Sequence, residues 1–528
     1  MAKRSFLRHA FLYGLSSALV QAGGVVLVPL YTRCLTQDDF GAMEVVGRCA
    51  EMAGTLLLFN GLRQGLLTFY QQSKTDAERD RVFRATLILL VGGSALGGLL
   101  FMGLAGPVCG ALQNGKGPAV GAGLLRLAVL AVLLEPLTLM PMALLQARME
   151  SVTFVAVTAS QFVVRVTVCV TLVVWLRWGA TGVYTAGALT SGAYGLALCL
   201  RELLRGGAWP NVRHLGGLLR FALPMAPTGL CVFVLQYGDR FFLLRGYGPA
   251  AVGVYGLGYK VALAVSMFSL APLYMVWNAR MFKAAEAPDA PQVFGRMFTR
   301  ILAAFMLVGL AACLFRDEAA AVLGGAKYAG ASAVVAPVVL AGLFQAAASL
   351  MDAGFYVRRR TGPKLYVTLA ATAVILVLYA VLIPSYGLMG AALATVAGFA
   401  LLALGTYWAT QRIFPVEYEW GRLIDLTGLA AGLYMVSRFL PPSGWSVVVR
   451  AGLWLLWPAL VWLCGLPSEE ERAYVYAAVG KALAWRRPAA EGTTAGHSGQ
   501  LAPQVAGDSR SESPTMEPAE EPVMSGLP

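Results

Sequence analysis

Charge is scarce in this sequence. Only 13% of its 528 residues are Asp, Glu, Lys or Arg, where a soluble domain carries roughly a quarter. That is too little to cover a water-facing globule. Histidine is rarer still: His9, His214 and His497 are the whole complement, all outside the apolar runs. A histidine proton relay within a membrane is thereby excluded, and neither a Ser-His-Asp set nor a metal centre can be assembled, so no catalytic residue and no metal ligand is expected. The cysteines, at 34, 49, 109, 169, 199, 231, 313 and 464, show no CxxC and no ligand spacing and read as packing residues. The stretch GALQNGKG at 110–117 imitates a phosphate loop but has Gly where Ser or Thr must hold magnesium, and it is set aside. No nucleotide motif and no cofactor are expected. Transport, if that is the activity, would run on an H+ or Na+ gradient, the membrane potential or the substrate's own gradient.

Apolar runs are what the sequence has in excess, at 58% hydrophobic residues. A bilayer core of about 30 Å needs roughly 20 apolar residues per helix. Such runs fall near 11–31, 42–62, 85–107, 124–146, 153–176 and 180–200, then 219–240, 252–279, 298–315, 332–355, 365–384, 387–410, 422–440 and 446–466. The expectation is an all-α polytopic membrane protein with about 14 transmembrane helices. The even-numbered connectors hold most of the Lys and Arg, including Lys74, Arg79, Arg81, Arg84, Arg201, Arg205, Arg213, Arg358, Arg359, Arg360 and Lys364. This bias places both termini on the cytoplasmic side. The net charge of +13 sits in short loops beside apolar helices, as topology and anionic headgroups require, so no nucleic-acid partner is expected. The first run is long and ends in Tyr31, Thr32 and Arg33 without a small-residue cleavage site, and reads as a retained helix.

Two halves share a grammar. Gly41-AMEVVG-Arg48 opens span 2 and Gly253-VYGLGY-Lys260 opens span 8, each with a cation seven residues after a glycine. Gly179, Gly182 and Ala186 in span 6 are matched in spacing by Gly387, Gly390 and Ala394 in span 12. A six-span repeat keeps the same membrane direction in both copies, related by an axis along the membrane normal. The reading is two pseudo-symmetric six-helix lobes, 1–216 and 217–414, followed by two extra C-terminal helices within 415–466. A basic amphipathic cytoplasmic segment is expected at 467–487 and a disordered Pro/Ser/Gly-rich tail at 488–528.

Ionisable groups inside spans are costly and point to a cavity or to pairing. On span 2, Glu44, Arg48 and Glu51 share a helical face with the arginine between two carboxylates. Arg48 would lie about 10 Å in from the outer surface at about 1.5 Å per residue, with Lys260 at a similar depth in the other lobe. Glu135 and Arg165 stand equally far from a hairpin turn near Glu150, so they should pair or face one aqueous cavity. Pro136 would bend span 4 beside Glu135. Asp239 and Arg240, at the outer end of span 7, read either as supporting groups or as a self-neutralising pair at the interface. Asp352 reads as interfacial. Two cations across a cleft suit an anion, with Arg offering a bidentate fork and Lys a point charge, and phosphate or diphosphate is the expected ligand.

Span 7 carries a resemblance. LLRFALPMAPTGLCVFVLQYGDRFFLLRGYGPAAVGVYGLGYKVAL at 218–263 resembles the polysaccharide-transporter branch, the Wzx-type O-antigen flippases, of the multidrug/oligosaccharidyl-lipid/polysaccharide exporter superfamily. The marks are Arg220, Phe221 and Pro224, the Asp239-Arg240 pair, and Val252, Gly253 and Tyr255. PLYTRCLTQDDFG at 29–41, LLQARMES at 144–151, LGGAKYAGASAVVAP at 323–337 and GLMGAALAT at 387–395 agree with it. One departure is Thr68, where the family often has an arginine. Arg63 lies one turn away as the candidate substitute.

The resemblance implies a flippase in the bacterial cytoplasmic membrane that serves O-antigen, capsule or exopolysaccharide synthesis. Its substrate would be an undecaprenyl-diphosphate-linked oligosaccharide repeat unit, and its lobes would form a V. Polysaccharide polymerase and glycosyltransferases would be its partners, together with membrane lipids. Arg48, Lys260, Arg165 and Arg63 are then the candidate substrate contacts, and Glu44, Glu51, Glu135, Asp239 and Arg240 the supporting or ion-coupling groups. Two other readings stay open: a multidrug antiporter of the same superfamily, and a membrane scaffold for polysaccharide synthases.

Overall fold

The structure is a computed structural model. It describes residues 27–463, apart from 113–119, 149, 206–207, 211, 359, 361 and 441–443, together with Gly24, Pro467 and Arg472. The expected span at 11–31, much of the phosphate-loop look-alike, the segment expected at 467–487 and the tail lie wholly or largely outside the described residues.

Every regular element among the described residues is helical. The first half contains α1 (Val28–Cys34), α2 (Gln37–Leu56), α3 (Phe59–Gln72), α4 (Asp76–Leu112), α5 (Ala122–Ala147), α6 (Ser151–Val170) and α7 (Gly179–Leu204). Next come α8 (Val212–Ala222), α9 (Met225–Tyr247), α10 (Pro249–Ala284), α11 (Ala290–Leu314), α12 (Arg316–Gly324), α13 (Ser332–Met351), α14 (Ala353–Val357) and α15 (Gly362–Gln411). Two further helices, α16 (Trp420–Arg438) and α17 (Gly444–Leu463), close the described chain. Ten helical stretches among the described residues are long and apolar enough to cross a membrane. The chain is a multi-pass membrane protein.

One of those stretches is two spans. α15 has 50 residues, about 75 Å at about 1.5 Å each, more than twice a hydrocarbon core. It reverses at Gly387, whose φ of 56° and ψ of −129° are open only to glycine. Past that point Gly390 lies against the Leu382 backbone, Gly398 against Ile375 and Gly405 against Val367, the receding pairs of an antiparallel hairpin. Gly179 takes the same left-handed φ, +60°, at the reversal between α6 and α7, and a Cβ on Gly182 would crowd Leu172 at 3.2 Å. The glycines matched by spacing therefore make equivalent turns.

The expected continuous span at 42–62 is corrected. α2 starts as the sequence dictates: Thr36 caps it by accepting from the Asp39 N–H at 3.1 Å, and Asp38 and Asp39 in the first turn suit the helix dipole. It then stops at Leu57. Leu58 has φ 64°, a left-handed conformation that costs a leucine about 1–2 kcal/mol, and a second helix, α3, restarts with Leu62 N–H donating to Leu58 O at 2.8 Å. Hydropathy carries no mark of this break, because both sides of it are apolar.

α2 and α10 pack against each other along the boundary between the halves. Small residues allow the approach. Gly41 lies against the Pro249 and Gly253 backbone, and a Cβ on Gly253 would meet Gln37 O at 2.6 Å. The polar links between the halves gather at this same end. The Ala250 N–H donates to Asp38 Oδ1 at 3.1 Å and Lys327 Nζ to Leu35 O at 3.0 Å. Gln37 donates to Lys327 O and Thr32 to Leu323 O. We call this the clasped end. At the opposite end the ion pairs lie within each half. Arg148 holds Glu202 at 2.6 Å in one, and Lys364 holds Asp352 at 2.7 Å in the other.

Candidate functional site

A cavity of about 930 Å³ opens inside the first half. Its walls come from α1, α2, α3, α5, α6 and α7, and the break after α2 turns Phe59, Asn60 and Arg63 into it. Six of the ionisable residues singled out in the sequence line it: Glu44, Arg48, Glu51, Arg63, Glu135 and Arg165. Lys260, Asp239 and Arg240 are not among its lining residues.

The span 2 triad divides its partners. Arg48 pairs with Glu51, while Glu44, only 6% exposed, pairs with Lys260 across the boundary between the halves. The arrangement with Arg48 between two carboxylates is therefore corrected: one carboxylate is drawn to the cation of the other half, a full turn nearer the clasp. Arg48 reaches the second half by another route, its guanidinium carbon 4.3 Å from the Tyr237 ring centroid, a favourable stacking for a planar cation. Next to it, the Tyr184 hydroxyl donates to Met43 O at 2.5 Å and locks α7 onto α2. Both repeat-related cations thus sit at the seam, each already matched by an acid of span 2.

Arg63 and Arg165 differ from them. Neither forms an ion pair or hydrogen bond among the described residues, and the Arg63 Nε is buried without a partner. An unsatisfied guanidinium nitrogen in a membrane-embedded cavity is costly unless a ligand or water meets it. Glu135 faces the same cavity as Arg165, and the two form no ion pair among the described residues. The cavity thus offers Arg63, one arginine shared with Glu51, and Arg165 and Glu135, which interact electrostatically without forming an ion pair among the described residues.

Asp239 and Arg240 form the self-neutralising pair that the sequence offered, buried within the protein. They are 0% and 2% exposed, deep in the packing of α9, α10 and α15. Arg240 donates to Asp239 Oδ1 through its N–H at 2.8 Å and its Nη1 at 2.9 Å, and the Tyr255 hydroxyl donates to Oδ2 at 2.6 Å. The Tyr259 ring centroid lies 4.4 Å from the guanidinium carbon. What the sequence hides is the shell of tyrosines that allows the pair to be buried. Asp352 is likewise held by Lys364.

Several lining residues were not singled out from sequence: Asn60, Gln146, Thr158 and Gln161, with the aromatic Tyr31 and Phe162. A signal existed, since an amide inside an apolar run carries a desolvation cost of the same kind as a charge, though smaller. Among the described residues no group of His, Cys, Asp and Glu is arranged to hold a metal ion.

Residues 6–283 match the family described as "Polysaccharide biosynthesis protein". The chain belongs to that family. The resemblance carried by residues 218–263 therefore holds at the level of the family. No curated protein matches the chain. Among solved structures it is similar to the lipid II flippase MurJ in an inward closed conformation, with a TM-score of 0.69 at 10% identity over 87% of this chain and 100% of that one. It is also similar to an inward-facing multidrug resistance MATE family transporter of the MOP superfamily, with a TM-score of 0.60 at 14% identity over 75% and 94% of the two chains. A mutant of the Vibrio cholerae MATE transporter VcmN gives 0.54 at 16% identity over 78% and 98%. At such identities the likeness is one of fold: this member of the polysaccharide biosynthesis family has the fold common to flippase and multidrug transporter structures.

Proposed function

We propose that the chain is a flippase that moves an undecaprenyl-diphosphate-linked oligosaccharide repeat unit from the inner to the outer leaflet of the bacterial cytoplasmic membrane, for O-antigen, capsule or exopolysaccharide synthesis. The observation that carries this reading is the pair of arginines in a cavity of a multi-pass member of the polysaccharide biosynthesis family, Arg63 with a buried Nε that has no partner and Arg165 with no ion pair among the described residues. A diphosphate offers each guanidinium a bidentate acceptor. Lys and Arg crowd the connectors at the end opposite the clasp, so we assign that end and both termini to the cytoplasm and the clasped end to the outer side.

The substrate enters from the cytoplasmic end with its lipid tail left in the bilayer. Parting of the clasp exposes the cavity to the other side. Lobes 1–216 and 217–414 act as the rocking bodies, and the helices of 415–466 stand outside the repeat. Arg48 and Lys260 serve at the seam, where the ion pairs Glu44–Lys260 and Arg48–Glu51 are placed to re-partner as the lobes move. An H+ or Na+ gradient or the membrane potential supplies the drive, and polymerase and glycosyltransferases are the functional neighbours.

Glu51 and Glu135 in the cavity favour a second reading, an organic-cation antiporter. The two readings part on charge. In cells lacking the native gene, Arg63→Glu and Arg165→Glu should abolish surface polysaccharide and leave lipid-linked repeat units on the inner leaflet. Full complementation by both folded variants, with drug resistance lost on Glu135→Gln, would favour the antiporter.

A further inference from the structure

We infer that α16 and α17, the two helices outside the repeat, hold the clasp from behind through α12, with Arg316 and Arg450 as the positioning residues. The inference takes the parting of the clasp from the proposed function and is independent of what the substrate is.

α12 has nine residues, about 14 Å at about 1.5 Å each, too short to cross a hydrocarbon core of about 30 Å. It lies at the clasped end, and its two ends are held by different parts of the protein. At its C-terminal end Leu323 O accepts from Thr32 of α1, and Ala320 shares an apolar cluster with Val28, Leu35 and Phe40 of the first half. Just beyond, the Tyr328 ring meets Phe40 edge-on at 5.8 Å between centroids, and Lys327 donates to Leu35 O. At its N-terminal end Arg316 donates to the Tyr434 hydroxyl of α16, and Arg450 of α17 donates to Glu318 Oε1 at 2.7 Å.

α16 and α17 are themselves seated on α11. The Trp454 indole N–H donates to Leu307 O at 2.9 Å. Near the other end of α11, the chain leading into α16 lies so close that a Cβ on Gly295 would strike the Glu417 backbone, and Phe298 packs edge-on against Tyr418 at 4.7 Å between centroids. The two helices are thus fixed along α11 and reach α12 through the two arginines.

Apolar packing alone would attach them to the bundle. Charge-assisted hydrogen bonds at the clasped end add an angle, because they tolerate little displacement where apolar surfaces slide. Arg450 is 9% exposed, a placement that costs desolvation and is tolerable while Glu318 stays within reach. Glu318 Oε2 is buried without a partner, so the contact uses one carboxylate oxygen and not a bidentate fork. Swinging α12 away would return that oxygen to water, which leaves the brace firm enough to orient α12 and weak enough to release. A braced α12 presents Leu323 and the following turn to the first half already in position, and the clasp closes at a smaller ordering cost.

The test uses the full-length protein in lipid nanodiscs, with Val322→Cys on α12 and the native Cys34 joined by a bifunctional thiol reagent and read by mass spectrometry of the linked peptides. Arg450→Glu should lower the cross-linked fraction about three- to tenfold, as expected for one partly exposed charge-assisted hydrogen bond, and Glu318→Arg together with Arg450→Glu should restore most of it. Tyr434→Phe, which keeps the ring and removes the acceptor, should lower it about two- to threefold, and it decides the question should Arg450→Glu fail to fold. Gly253→Ala, which crowds the seam directly, is the reference for an opened clasp. Loss of yield in Gly253→Ala with none in Arg450→Glu or Tyr434→Phe refutes the brace and leaves the clasp standing. Equal loss in Arg450→Glu and in the charge swap also refutes it, since the contact is then not the cause. An undiminished yield in Gly253→Ala overturns the clasp and the brace with it.

Discussion

Replacing Gly253 by alanine should open the clasp. The added Cβ would lie 2.6 Å from Gln37 O and 3.2 Å from Gly41 N, against roughly 3.3–3.6 Å for a relaxed C···O contact. α2 and α10 must therefore separate by about 0.7–1 Å at the seam. That displacement would stretch the Asp38 to Ala250 hydrogen bond of 3.1 Å beyond useful range. Overpacking of this kind costs about 1–3 kcal/mol, so the ratio of clasped to unclasped protein should fall about 5- to 150-fold. Cys34 is exposed at this end, and Val322 is 65% exposed on α12, whose residue Leu323 accepts from Thr32. A bifunctional thiol reagent applied to a Val322→Cys variant should join the two cysteines efficiently, and the added Gly253→Ala should reduce the yield several-fold. Undiminished cross-linking in a variant that folds and inserts normally would refute the seam as the point where the halves part.

Glu44→Gln should leave Lys260 without its partner and weaken the seam by about 1–3 kcal/mol, and the swap Glu44→Lys with Lys260→Glu should restore the same cross-linking yield. Asp239→Asn should lower folded yield sharply, since a buried cation stripped of its partner costs about 3–5 kcal/mol. A double replacement, Asp239→Leu with Arg240→Met, should recover folding, as measured by monodisperse yield in detergent. Gly387→Ala should lower the thermal midpoint by an amount equivalent to about 1–3 kcal/mol, because no side chain tolerates that φ and ψ without strain. The same change at Gly421, where a Cβ would meet nothing, should leave it unchanged.

The long apolar runs made the helical membrane architecture legible, because roughly 20 apolar residues have few other uses. The costly charges were also legible as a set. Glu44, Arg48, Glu51, Arg63, Glu135 and Arg165 converge on one cavity, although they come from four different helices. Which acid meets which base was not legible. Glu44 and Glu51 flank Arg48 on one face in sequence, and only the packing of α10 on α2 shows that Lys260 takes the first of them. The fate of Asp239 and Arg240 depends on Tyr255, Tyr259 and Tyr237 closing around them, a tertiary fact. Nor does any pattern in LLLFNGLRQG mark Leu58 as left-handed, since a strained leucine is held there by its surroundings.

The most direct measurement is translocation itself. Purified protein in proteoliposomes, given a fluorescent undecaprenyl-diphosphate oligosaccharide in the lumenal leaflet, should expose it to an external glycan-modifying enzyme or quencher, and Arg63→Glu with Arg165→Glu should stop this while Arg33→Glu does not. Transfer by the double variant at the parental rate, or none by the parent under an H+ gradient, an Na+ gradient or a membrane potential, would contradict the account.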